Sequence, residues 1–168
     1  MVIRPDASPL TVESARPDDY ARIAQLTVDV YVGGGLATPA YAPELADVAG
    51  RAGRSELLVV RDAGGRVVGS VALVLTGDFG NVITSDEEAA FRMLVVDPAA
   101  QGRGIGELLV ATCLERARAA GKRRMVISTD PLMTTAHRLY ERFGFTRLPE
   151  RDWRPEPGVE LLVYSLEL

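Results

Sequence analysis

Thiol and imidazole are nearly absent from this 168-residue chain, which holds one cysteine and one histidine. Cys113 has no second cysteine for an internal disulfide, and one Cys with one His does not make a zinc site. A metal-free protein is the expectation. Basic residues are also not in excess: 19 Lys and Arg stand against 23 Asp and Glu, for a net charge of -4 and a pI near 5.1. A domain devoted to nucleic acid needs the opposite balance, so no nucleic-acid partner is expected and a cationic or neutral one is favoured. No uncharged apolar run approaches the roughly 20 residues of a membrane span, and no membrane partner is expected. The start of the chain, with Arg4, Pro5, Asp6 and Pro9, lacks the apolar stretch of an export signal. The reading is a cytoplasmic protein.

What is present is ordinary globular material. Hydrophobic residues make up 47% and charged residues 25%, enough for one core, and no repeat or linker divides residues 1–168, read as a single domain. Thr11 to Ala15 reads as a short strand, and Pro17 with Asp18 and Asp19 opens a helix whose apolar face is Ile23, Leu26 and Val30. Gly33 to Gly35 end it, and a weaker helix is expected from Pro43 to Ala52. Glu56 to Arg61 and Val67 to Thr76 form a hairpin around Gly64 and Gly65, and Ala89 to Val96 is a third strand stopped by Asp97 and Pro98. Leu108, Leu109, Thr112, Cys113 and Arg116 recur at helical spacing, so Gly104 to Ala120 is a helix closed by Gly121. Met125 to Ser128 is the next strand, parallel to the third by the handedness of such crossovers. Thr134 to Phe143 is a helix, and Phe145 to Leu148 and Glu160 to Leu168 are the closing strands, with Pro155, Pro157 and Gly158 between them.

Gln101, Gly102, Arg103, Gly104, Ile105 and Gly106 sit between a strand and a helix. Free N–H groups at a helix start attract anions, missing side chains let a pyrophosphate approach the main chain, and Arg103 adds charge. A tight turn without a ligand would use the same glycines. A dinucleotide fingerprint fits worse, because Glu107 replaces its last glycine and Lys122 to Arg124 stand where its acid belongs. A triphosphate loop would require Gly-Lys-Ser/Thr, which is missing.

Leu94 to Pro98, Gln101 to Gly106, and Ala136, Leu139, Tyr140, Gly144 and Phe145 together resemble the GNAT superfamily of N-acetyltransferases. The first set matches that family's Gln/Arg-x-x-Gly-x-Gly/Ala motif and the second its Ala-x-x-Leu-Tyr-x-x-x-Gly-Phe helix, separated by one helix and one strand. The resemblance implies a mixed α/β fold: a twisted, mostly antiparallel sheet of six or seven strands with a splayed central parallel pair and about four flanking helices. It implies acetyl-CoA as co-substrate, with the diphosphate on Gln101 to Gly106 and the pantetheine arm along the main chain of Leu94, Val95 and Val96. It also implies a small-molecule or peptide amine as acceptor and Tyr140 as the acid that protonates the departing thiolate. The bland reading of Tyr140 is a packing tyrosine.

Two positions depart from the family pattern. Ala90 stands where many relatives carry a Glu, and Glu88, two residues earlier on the same strand face, becomes the candidate base beside the alternative of a solvated acid. Met133 stands where many relatives have an Asn that helps hold the cofactor, and Thr134 takes over part of that role as a helix cap. Cys113 and His137 are left outside the site. Recognition of the acceptor is expected from Tyr31 to Leu36, Asp78 to Glu88 and the segment around Trp153, with Asp78, Asp86, Glu87 and Glu88 favouring a cationic amine if they line the cleft. A module of the same fold that holds acyl-CoA without turnover is the alternative function. The motifs leave the oligomeric state open, a homodimer included.

Overall fold

The structure is a computed structural model that describes residues 9–168. The stretch expected to lack an export signal lies mostly outside them. The described residues form an eight-stranded sheet: β1 (Val12–Ser14), β2 (Glu56–Arg61), β3 (Val67–Val74), β4 (Glu88–Val96), β5 (Arg124–Thr129), β6 (Thr146–Arg147), β7 (Trp153–Glu156) and β8 (Val159–Glu167). The main path runs β1-β2-β3-β4-β5-β8-β6, with β7 also on β8, and β4-β5 is its parallel pair. The five α-helices are α1 (Tyr20–Tyr31), α2 (Ala42–Ala46), α3 (Val48–Ala52), α4 (Ile105–Ala119) and α5 (Thr134–Arg142).

The strands sort their side chains by the period of two that a pleated backbone imposes. Leu58, Val60, Val71, Leu73, Ala89, Phe91, Met125 and Ile127 pack on one face with α4 and α5. Their neighbours go the other way: Leu57, Val59 and Ala72 meet Ile23 of α1 and Val48 of α3, while Val74, Ala90 and Val126 meet Phe79 and Val82 of the β3–β4 loop. Every residue of β3 is buried, which explains its almost uninterrupted apolar run.

Two elements differ from the sequence reading. The helix expected from Pro43 to Ala52 is two short helices, because Asp47 leaves helical geometry (ψ 67°) and its carboxylate accepts the N–H of Gly50 to start the second. Beyond the expected six or seven strands, β7 occupies the Pro-rich stretch. It pairs at Trp153–Leu161 and Glu156–Val159 with an irregularity between them, an arrangement that prolines tolerate at a sheet margin.

At the N-terminal side, Arg61 of β2 grips the carboxylate of Asp19 with two bonds of 2.7 and 2.8 Å. These bonds hold the Asp19 pKa at about 2, below its ordinary 3.8, against the opposing effect of burial. A depressed carboxylate stabilises the fold above the unfolded pKa and loses that contribution as pH falls through the folded one. Asp19→Asn is therefore expected to cost about 2 kcal/mol near neutral pH, with the gap to wild type closing as pH falls from 3.8 toward 2 in denaturant titrations.

Candidate active site

β4 and β5 run side by side only where Glu88, Ala89 and Ala90 meet Arg124, Met125 and Val126. Beyond that point β4 stays with β3 as far as Val96–Gly69, and β5 stays with β8 as far as Thr129–Leu162. The two strands have parted. Met93 marks the cause on the β4 side: it lies in the left-handed region (φ 52°), and the β3–β4 register shifts across it. The inserted residue resets the alternation, so Leu94 and Val96 join Phe91 on the α4 and α5 face.

The same shift sets which main-chain groups are free. Asp97 donates its N–H to Val68 of β3 at 2.8 Å, and Val95 is in register with Ser70. By the alternation of an extended strand, Leu94 and Val96 turn their N–H and C=O groups the other way, into the gap left by β5. Buried main-chain groups of this kind call for partners. Val95, expected with its neighbours to hold the arm, instead spends its main chain on β3.

At the top of the gap, residues 101 to 104 form an exposed turn leading into α4. Gly102 and Gly104 have φ of 79° and 77°, a conformation that L side chains adopt at a cost, and a Cβ on either would project into open space before the turn. The first internal bond of α4 is Leu108 N–H to Gly104 C=O, and Gly104 offers no capping side chain. The N–H groups of Ile105, Gly106 and Glu107 precede that bond and are left for an anion, with the exposed Arg103 beside them. Glu107, an acid in the wrong place for a phosphate, is paired with Arg142 at 2.8 Å. These donors fit the diphosphate of a coenzyme A thioester, and the parted strands fit its amide-bearing arm.

Gly69 of β3, which the sequence reading passed over, seats this helix. A Cβ there would lie 2.5 Å from the Ile105 side chain and 3.2 Å from Leu109. The missing side chain lets the start of α4 approach the sheet.

Tyr140 of α5 is buried, with its ring 5.7 Å from Phe91, 5.8 Å from Phe145 and 6.4 Å from Tyr164. Burial, and then Tyr31 and Cys113, push its hydroxyl far above the ordinary pKa, so it stays protonated. Cys113 is core: burial pushes its thiol up to about 12. His137 bonds at 3.3 Å with the Thr129 hydroxyl and 3.1 Å with the Asp130 carbonyl, a link between α5 and the end of β5.

Glu88 does not suit the base role expected of it. It sits where β4 and β5 are still paired, and both of its oxygens are held by Arg151 at 2.8 and 3.1 Å, with Thr84 N–H on one of them at 2.9 Å. Burial raises its pKa, but these bonds outweigh burial and hold the carboxylate below its usual range. Glu88 is a strut between β4 and the turn before β7. Thr134 is likewise not a cap: it is the first residue inside α5, the cap position is Met133, and no side chain caps that end. The loop acids Asp78, Asp86 and Glu88 line a hollow shared with Leu75, Ile83 and Lys122. Asp78 accepts the N–H groups of Val82 and Ile83 within its own loop, and Glu87 lies 3.7 Å from Arg123.

The profile of the Acetyltransferase (GNAT) family matches residues 20–145. Mycothiol acetyltransferase of Streptosporangium roseum is 46% identical over 52 residues, a match that spans 31% of this chain and only 15% of that protein. Among solved structures, a GCN5-related N-acetyltransferase from Kribbella flavida is 27% identical with a TM-score of 0.70, covering 95% of this chain and 98% of its own. The yncA protein of Salmonella typhimurium, solved with its cofactor acetyl-CoA, superposes with a TM-score of 0.68 at 23% identity over 96% and 95% of the two chains.

Gly69→Ala is expected to push the start of α4 off the sheet, costing about 1 to 3 kcal/mol in denaturant unfolding and weakening coenzyme A binding in calorimetry. With the family match spanning 126 of its 168 residues (20 to 145), the chain belongs to the GNAT acetyltransferase family.

Proposed function

We propose that this acetyltransferase moves the acetyl group to a primary amine by direct attack within a ternary complex, with Tyr140 as the acid. The observation that carries the reading is a tyrosine held protonated by burial, packed on Phe91 of the strand whose main chain faces the gap. Acetyl-CoA supplies the activated acyl group. The chain does the rest: Gln101 to Gly106 hold the diphosphate, and Leu94 and Val96 align the arm through their free main-chain groups. The Leu94 N–H donates to the thioester carbonyl oxygen as charge gathers there, and the Tyr140 hydroxyl gives its proton to the departing sulfur. With Glu88 locked in its ion pair, the amine enters neutral and its proton leaves to water.

Two results test this. Tyr140→Phe keeps the ring packing, so it is expected to lower kcat by roughly a hundredfold or more while coenzyme A affinity stays the same; unchanged turnover would remove Tyr140 from the reaction. Because its raised pKa keeps Tyr140 a competent donor as pH rises, the rate is expected to climb with pH along the acceptor amine's own titration. Glu88→Gln should leave that profile in place while lowering stability by roughly 1 to 3 kcal/mol, whereas loss of the rising limb would restore Glu88 as the base.

A further inference from the structure

The sheet face opposite Tyr140's carries a concentration of positive charge that the acetyl-transfer steps do not use. Arg51 of α3 is 2% exposed. One of its terminal nitrogens donates to the carbonyl of Leu45 at 3.1 Å, but its Nε and its other terminal nitrogen have no partner. Arg92, in the middle of otherwise apolar β4, lies 4.4 Å over the Phe79 ring and donates to the Tyr41 hydroxyl at 3.4 Å. Arg54 lies 4.0 Å from the centre of the same ring. Among the described residues, ten carboxylate pairings engage other basic side chains and none engages these three arginines.

A buried guanidinium with unmade hydrogen bonds is costly, and the usual remedy is an anion. Burial, and then the charge of Arg92, disfavour the Arg51 cation, with Asp47 only partly opposing them. The cluster also adjoins the transfer site. Along β4, Arg92 precedes Leu94 by two residues, or roughly 7 Å of strand. An anion held at Arg92 and an amine presented at the gap are thus separated by the length of one small molecule.

We propose that the acceptor is a small amine bearing its own acidic group, as an amino acid does, with Arg92 receiving the carboxylate beside the buried charge of Arg51 and so aiming the amino group into the gap beside Tyr140. This rests on the acetyl-transfer reading above and narrows its acceptor. It differs from the expectation of a cationic acceptor: Glu88 is held by Arg151, and Asp78 accepts two N–H groups of its own loop. The planar guanidinium suits a carboxylate through two parallel bonds. Purely cationic polyamines meet repulsion at the same place.

The test is thiol release from acetyl-CoA by the full chain, using L-amino acids, each beside its own carboxamide, with spermidine as the cationic control. The acids are expected to exceed their carboxamides at least about tenfold in kcat/KM. Arg92→Gln, at a half-buried position that leaves the apolar core intact, should bring that ratio close to one with coenzyme A affinity unchanged. Arg51 is buried, and its replacement can unfold α3, so Arg92 carries the test. Carboxamides or spermidine working as well as the acids would overturn the proposal. If coenzyme A binds but no amine releases thiol, the acetyl-transfer reading fails instead. Calorimetry of the same panel on coenzyme A-saturated protein then decides the anion site: binding of acids but not carboxamides upholds it, and binding of neither overturns it.

Discussion

The parting of β4 from β5 is the constraint on which the rest of the site depends. A sheet interior normally satisfies its own main chain, and a gap in one is expensive unless each strand keeps its other neighbour. Here β3 and β8 hold the two halves, and the left-handed residue Met93 within β4 turns one half away. Everything chemical follows from that displacement: unspent groups at Leu94 and Val96, a helix start above them seated by Gly69, and a buried hydroxyl beside Phe91.

Charge is distributed with a division of labour that the net value conceals. The chain is acidic overall, yet its central acids are used as fasteners. Glu88 ties β4 to Arg151, and Asp152 ties Arg147 of β6 to the Val163 N–H of β8. Arginines are left uncompensated around Phe79. A bulk charge of -4 thus coexists with a local cluster of arginines, and only the pairing pattern separates the two.

Much of this was legible in the sequence where local rules act alone. Helical spacing at Leu108 to Arg116, the turn at Gly64–Gly65, the Asp97–Pro98 stop and the Gln101 to Gly106 turn all depend on neighbours in the chain. Tyr140 was legible through its motif with Ala136, Leu139, Gly144 and Phe145. What escaped depends on contacts distant in sequence. The role of Glu88 is decided by Arg151, 63 positions away, and that of Gly69 by Ile105. β7 was hidden by prolines that forbid an interior strand but not an outer one. Arg92 did leave a local trace, a charge within Ala89 to Val96, a run that is otherwise uncharged, and such an intruder in a buried strand calls for a reason.

Asp97 has one more implication. Its carboxylate holds Arg22 of α1 at 2.6 Å and also accepts the Ala99 N–H at 3.0 Å, at the threshold of the phosphate turn. Twelve-residue α1 ends at Tyr31. One carboxylate therefore fastens α1 to the stretch that enters the Gln101 to Gly106 turn, and the two are set in register by a single side chain.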